Sequence, residues 1–243
     1  MPKRKRNMDK HQFTEYLLSF GLTRQEAGVY EKLLLNGKQT GYEAAKETGI
    51  SRSNVYGALA ALVEKGAAHV VEGTAKKYMP VPLEEFLENY MKKLEKEKSW
   101  LLANIPSAKT EEEGYITIEG VQNVYNKMTN LLLRAKERVY VSCSRTCLES
   151  LRQELETLLA KGKRVVVVTD YPAVLKGAEV YVADDRGSQI GIIVDSVYVL
   201  SGEYGDGSMN TCLYSGQSNF VKLFKSAMAN EIKLITLQGG KIK

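Results

Sequence analysis

The sequence predicts an α+β protein built in sections, on three observations. Short helical patterns with strong caps crowd the first third, one long charged helix follows, and strand and helix patterns alternate through the remainder. The chain has 243 residues, 44% of them hydrophobic, enough for one large core or two modest ones. No apolar run approaches the roughly 20 residues that span a bilayer, and the basic start, Met1 to Asn7, has no apolar stretch behind it. A cytoplasmic protein with no membrane partner is therefore expected.

Each element follows from a local signal. Phe13, Tyr16, Leu17 and Phe20 recur at helical spacing from Lys10 onward, and Gly21 stops that helix. Thr23 with Glu26 forms a capping box, and Ala27, Tyr30, Leu33 and Leu34 give the next helix a buried stripe before Asn36-Gly37. Thr40 with Glu43 caps a very short helix through Ala44 and Ala45 to Gly49; Ser51 then caps a helix running to Lys65, with Gly66 behind it. Two helices joined so tightly make a helix-turn-helix. Ala68 to Glu72 and Lys76 to Met79 read as strands around Gly73-Thr74-Ala75, a hairpin wing with a basic limb at Lys76 and Lys77.

Pro80 and Pro82 break the chain, and a charged helix runs from Leu83 to Ile105 with Leu83, Leu87, Tyr90, Leu94, Leu101 and Ile105 near one side. It suits a linker that pairs with its copy in a dimer. The heptad spacing fails at Glu97, which leaves packing on its own domain as the alternative. Pro106 to Gly114 has no periodicity and marks a boundary. Beyond it come strand 115–119, helix 121–135, strand 138–142, helix 147–160, strand 164–169, strands 178–182, 190–194, 197–200 and 210–214, and a last helix from Ser218 to about Lys233. That alternation predicts an α/β domain with a mixed sheet. The expected division is 1–82, a winged helix-turn-helix; 83–113, a linker helix and loop; and 114–243, the α/β domain.

Charge and the helical projection point the first part at duplex DNA. Residues 1–82 hold 13 Lys and Arg against 8 Asp and Glu, and residues 83–243 hold 21 against 21, so the whole net charge of +5 lies in the first third. Rotating the 51–65 helix by 100 degrees per residue puts Val55, Leu59, Leu62 and Val63 on one side and Ser53, Tyr56, Gly57 and Ala60 on the other. The second face lacks the Lys and Glu of an ordinary solvated face, and Gly57 costs about 1 kcal/mol of helix propensity. Small residues let a helix come close to a partner. The expected DNA-binding set is Thr40, Ser51, Arg52, Ser53, Asn54, Tyr56, Gly57, Lys76 and Lys77, with Arg52 suited to guanine or phosphate.

The run from Phe20 to Val81 resembles the DNA-binding domain of the TrmB family of transcription regulators, which includes sugar-responsive repressors and activators. The resemblance rests on Gly21-Leu22-Thr23 with Glu26-Ala27 and Val29-Tyr30, on Gly49-Ile50-Ser51-Arg52-Ser53 with Val55-Tyr56 and Leu59, and on Lys77-Tyr78. Ala44-Ala45 stands where an aliphatic residue and then alanine is usual, and Ala67-Ala68 replaces a bulkier apolar pair. Residues 115–243 are similar, more weakly, to the phospholipase-D-like domain that follows in many such regulators. Active enzymes of that superfamily use a His, a Lys two positions on and an Asp five beyond. With Asp195 as the Asp, the other positions are Ser188 and Ile190, and the two histidines of the chain, His11 and His69, lie outside this domain. No catalytic residue and no cofactor is expected.

The second domain is then expected to regulate. Ligands of open α/β sheets sit at the carboxyl ends of strands, which directs attention to Ser144, Arg145, Asp170 and Asp195. Arg145 suits an anionic group and Asp170 sugar hydroxyls, although Asp170 before Tyr171-Pro172 suits a turn cap better. The resemblance implies a small-molecule effector such as a sugar, and a sheet edge or the last helix would serve a homodimer. Cys143, Cys147 and Cys212 lack zinc-site spacing and histidine partners, so no metal is expected and the thiols read as buried and inert. Taken together these expectations describe a sequence-specific DNA-binding regulator. The alternatives are a phosphodiesterase or nuclease targeted by the helix-turn-helix, and a non-specific chromatin-associated DNA binder.

Overall fold

The computed structural model describes residues 10–106, 114–238 and 241–242, in two compact units that separate after residue 108. The first unit contains α1 (Lys10–Ser19), α2 (Arg24–Asn36), β1 (Gln39–Thr40), α3 (Gly41–Thr48), α4 (Arg52–Glu64), β2 (Ala68–Val71), β3 (Lys77–Pro80) and α5 (Leu83–Ala103). Both expected capping boxes are present. The Thr23 amide donates to Glu26 Oε2 at 2.8 Å and the Glu26 amide to Thr23 Oγ1 at 3.3 Å; Thr40 and Glu43 repeat the exchange at 2.7 and 3.2 Å. Each box satisfies two amides that a helix start leaves without intrahelical partners.

The core of this unit joins Val29, Tyr30 and Leu33 of α2, Ala44 of α3, Val55, Leu59 and Leu62 of α4, and Tyr78 of the wing. The buried Tyr30 hydroxyl donates to the Val81 carbonyl at 2.7 Å, tying α2 to the chain beyond the wing. Burial, with Glu85 nearby, pushes that phenol up to about 12. Lys65 closes the other side, its ammonium donating to Glu26 Oε2 at 2.6 Å and to the Gly21 carbonyl at 2.8 Å.

Two features of this unit were not expected. The two-residue strand β1 adds to the wing, giving an antiparallel sheet in the order β1-β3-β2 with Gln39 opposite Tyr78 and Thr40 opposite Lys77. Phe86, absent from the expected stripe of the linker helix, is 1% exposed and packs edge-on against Tyr30 at 5.6 Å between ring centroids. The first turns of α5 therefore complete the core, while Met91, Leu94, Trp100, Leu101 and Leu102 are exposed.

The second unit contains β4 (Tyr115–Glu119), α6 (Val121–Leu133), β5 (Arg138–Ser142), α7 (Arg145–Ser150), α8 (Arg152–Ala160), β6 (Arg164–Thr169), β7 (Glu179–Val182), β8 (Gln189–Val194), β9 (Tyr198–Glu203), β10 (Thr211–Ser215), α9 (Ser218–Leu237) and β11 (Lys241–Ile242). The sheet is mixed and runs β11-β7-β6-β5-β8-β9-β10-β4. β5, β6 and β7 are parallel; β8 lies antiparallel on the other flank of β5, and β9, β10 and β4 continue antiparallel. Side chains alternate across it. Val165 and Val167 join the core with Val124 and Met128 of α6, Leu148 of α7 and Leu155 of α8, whereas Val166 and Val168 pack with Val221 and Met228 of α9. A central strand covered on both faces reads as an unbroken apolar run, as Val165 to Val168 does.

The single helix expected over 147–160 is two, broken at the fully buried Leu151 with φ −101° and ψ 2°. No helix among the described residues is long and apolar enough to cross a membrane.

Candidate functional site

The face expected to meet DNA is assembled on α4. Val55, Ala58, Leu59 and Leu62 are buried, and Ser51, Arg52, Ser53, Asn54, Tyr56, Gly57 and Ala60 are exposed. Ser51 caps the helix, its hydroxyl accepting from the Asn54 amide at 3.4 Å. A left-handed Gly49, φ 70°, ends α3 and aims α4 away from it. The Arg52 guanidinium lies over the Tyr42 ring at 4.6 Å, a contact the sequence reading missed because Tyr42 sits ten residues away on α3. Stacking leaves the guanidinium charge exposed while restricting its rotamers.

Tyr56 is fixed by the opposite helix. Its ring, 49% exposed, lies so close over Gly41 that a Cβ there would fall 2.4 Å from Tyr56 Cε1. Gly57 faces open space, so the middle of the helix presents bare backbone. Thr40 is committed to capping α3, its hydroxyl also bonding Glu43 Oε2 at 2.9 Å. The Thr40 bonds, backbone first, hold the Glu43 carboxyl below its ordinary range. Lys77 stands opposite Thr40 in the sheet, and the Lys76 ammonium sits 5.8 Å above the Tyr78 ring. The fold thus brings together the first turn of α4, the start of α3 and the basic limb of the wing, all within one unit.

The four strand-end residues do not form one site. Asp170 follows β6, its Oδ1 accepting the Arg145 amide at 2.9 Å and its Oδ2 the Arg186 amide at 3.4 Å; the turn-cap role is the one present. Arg145 lies over the Tyr171 ring at 5.0 Å, and Ser144 precedes α7 without a side-chain cap bond. Asp195 is at the other end of the central strands. Because β8 runs antiparallel to β5, its carboxyl end meets the start of β5, and Asp195 accepts the amides of Lys136, Glu137 and Arg138 at 2.7, 2.9 and 2.9 Å. Burial raises this carboxyl, but the three backbone bonds together outweigh it and hold it below its ordinary value. All four follow the carboxyl ends of strands, but strand direction separates Asp195 from the other three. Sequence shows a strand, not which way it runs.

The positions that would carry phosphoryl chemistry are Ser188 and Ile190, and Ile190 is 3% exposed within the core. A cleft of about 700 Å³ lies between α9 and the sheet, lined by Ser142, Gln189, Ser201, Glu203, Phe224 and Glu231 among others. Glu231 pairs there with Arg186. The three cysteines are buried. A hydrogen bond with Cys147, and then burial, push the Cys143 thiol well up, and burial pushes Cys212 up to about 11. Both shifts oppose formation of the reactive thiolate.

Residues 17–84 match the family model described as sugar-specific transcriptional regulator TrmB, so the first unit carries a TrmB-family domain, as the resemblance implied. The chain is 26% identical over 178 residues to the protein YrhO of Bacillus subtilis, covering 72% of this chain and 65% of that one. It is 29% identical over 154 residues to the HTH-type sugar sensing transcriptional regulator TrmBL1 of Pyrococcus furiosus, covering 61% of this chain and 45% of that one. The chain thus spans less than two thirds of either relative. The solved structure of TrmBL2, an archaeal chromatin protein, aligns over 96% of this chain and 100% of its own at 19% identity, with a TM-score of 0.45.

Proposed function

We propose that the TrmB-family domain over residues 17–84 makes this chain a sequence-specific DNA-binding transcription regulator, acting as a homodimer whose second unit biases DNA affinity on binding a small molecule. The observation that carries this reading is the exposed face of α4. It is uncharged at Ser53, Tyr56, Gly57 and Ala60 and small at all of these but Tyr56, has Arg52 braced on Tyr42 at its first turn, and is flanked by Lys76 and Lys77 of the wing. A helix so bare along its middle can lie deep in the major groove, where base edges are distinguishable. Its first turn then supplies Arg52, Ser53 and Asn54 for readout while the wing lysines neutralise phosphates. The sugar-sensing and regulatory names of the family and of TrmBL1 support regulation as the purpose of that binding. The exposed Met91, Leu94, Leu101 and Leu102 of α5 support a paired linker.

The test is a salt series of fluorescence anisotropy on a selected duplex and on random duplexes. A specific regulator should prefer its site by about a thousandfold or more, with log affinity falling linearly against log salt. A ratio near one would replace this reading with non-specific DNA coating. Unchanged binding by Arg52→Ala would remove α4 as the reading element.

A further inference from the structure

A pocket of about 620 Å³ opens where the end of α6, the start of β5 and the β8–β9 turn come together, and Leu131, Arg134, Lys136, Glu137, Asp195 and Tyr198 are among the residues that line it. Its size falls in the range of roughly 300 to 1,000 Å³ typical of small-molecule sites. It lies at the opposite end of the central strands from Ser144, Arg145 and Asp170, since Asp195 is bonded to the start of β5 and Asp170 to the start of α7.

The lining carries two formal charges of each sign, and what distinguishes them is how they are met. Asp195 accepts three backbone amides at 2.7 to 2.9 Å, and Glu137 is paired with Arg138 at 3.0 Å. Among the described residues no hydrogen bond or ion pair engages the Arg134 guanidinium or the Lys136 ammonium. Lys163 adds a further cation beside this segment, its ammonium donating to the Lys136 carbonyl. The charge left unanswered at the pocket is therefore positive, and a carboxylate or phosphate bridging Arg134 and Lys136 would answer it.

The rest of the wall suits a flat ring. Tyr198 stacks on Tyr214 with centroids 5.6 Å apart and planes 22° from parallel, and the Lys127 ammonium sits 3.4 Å from the Tyr214 ring centroid. Gly216 permits this stack: a Cβ there would lie 3.0 Å from Tyr198 Cε1. Leu131, Val194 and Val197 complete an apolar surface beside the rings. The site is also pre-formed. Asp195 and Ser196 hold left-handed φ values of 51° and 58°, a turn that the three Asp195 bonds keep in place, so little ordering is required of the protein on binding.

We infer that this pocket binds a small molecule with a flat ring and a terminal anion, Arg134 and Lys136 holding the anion and Tyr198 stacking on the ring. The inference rests on reading the second unit as the one that senses a ligand. It moves that ligand away from the strand ends at Asp170.

Calorimetry on the full chain without DNA tests the site, with benzoate and adenosine monophosphate as probes and benzamide and adenosine as their neutral counterparts. At least one anionic probe should bind saturably, about tenfold or more tighter than its counterpart. Arg134→Ala/Lys136→Ala and Tyr198→Ala should each weaken it about tenfold, and Arg145→Ala should leave it unchanged. Both cations are exposed, so the double variant keeps its fold, checked by its melting temperature. Absence of saturable binding by either probe, equal binding of the neutral counterpart, or survival of binding in the double variant would overturn the site. A second arm measures duplex affinity with the probe bound. A duplex affinity unmoved by saturating probe would overturn the regulatory reading and leave the site standing.

Discussion

Adding one methyl group at Gly41 should weaken DNA binding while leaving the fold intact. A Cβ at that position would lie 2.4 and 2.6 Å from Tyr56 Cε1 and Cζ, whereas carbon atoms in contact settle at about 3.5 to 4.0 Å. The Tyr56 ring must therefore withdraw by about 1 Å or swing to another rotamer. It is 49% exposed, so displacement costs little burial, and alanine in the first turn of α3 returns up to about 1 kcal/mol of helix propensity. These two terms nearly cancel. The melting temperature of Gly41→Ala should stay within about 4 °C of the parent. Affinity should respond differently, because a contact from α4 to a base or phosphate is worth roughly 1 to 3 kcal/mol, which corresponds to about 5-fold to 150-fold in the dissociation constant. The assay is anisotropy on a selected duplex for Gly41→Ala, Tyr56→Ala and the double variant. The three atoms nearest the new methyl all belong to the Tyr56 ring, so with the ring gone Gly41→Ala should cost little in the Tyr56→Ala background. An equal cost in both backgrounds would refute the reasoning, since the effect would then not pass through Tyr56.

Three further outcomes are expected. Arg52→Ala should lower affinity about tenfold and reduce the salt slope by about 0.9 if it meets a phosphate; Arg52→Lys should preserve binding at a phosphate and fail at a guanine, where the bidentate fork is needed. Tyr30→Phe should lose about 1 to 2 kcal/mol of stability in urea unfolding, since it removes the 2.7 Å bond to the buried Val81 carbonyl, and a change near zero would mean that another donor takes its place. Asp195→Asn should be less stable than the parent at neutral pH. The Asp195 carboxyl lies below its ordinary value in the folded state, so its contribution is full above the unfolded value near pH 4 and disappears as pH falls through the folded one. Urea midpoints of parent and variant should therefore converge toward pH 3, and a constant gap would contradict the assignment.

What the sequence disclosed was local. Thr23 with Glu26 and Thr40 with Glu43 are three residues apart, and a capping box depends on nothing more distant. The exposed face at Ser53, Tyr56, Gly57 and Ala60 followed from helical periodicity alone. Phe86 escaped because its partner, Tyr30, is 56 positions away and an equally regular stripe through Leu87 and Tyr90 competed for the core side. β1 escaped because two residues carry no period and its partners, Lys77 and Tyr78, lie far along the chain. The direction of β8 was illegible for the same reason: Ile190 to Val194 looks alike whichever way it runs. Arg134, inside the expected helix 121–135, and Lys136, just beyond it, drew no attention as a site, since nothing near them in sequence reveals that Tyr198 and Asp195 will stand beside them.

The short strand β1 has a mechanical consequence. Thr40 is paired with Lys77 of the wing and caps α3 with its hydroxyl, so the hairpin and the helix-turn-helix move as one body rather than as a clamp with a loose jaw. Docking on a duplex would then immobilise a single object, and the width of groove it can straddle is set before any contact is made. Variation in reach has to come from the connecting residues Glu72 to Lys76, beyond the paired rungs, where length can change without shifting the helices. A lineage adapting such a surface to new sites would find its freedom at that tip and in the side chains of α4, and very little in the angle between them.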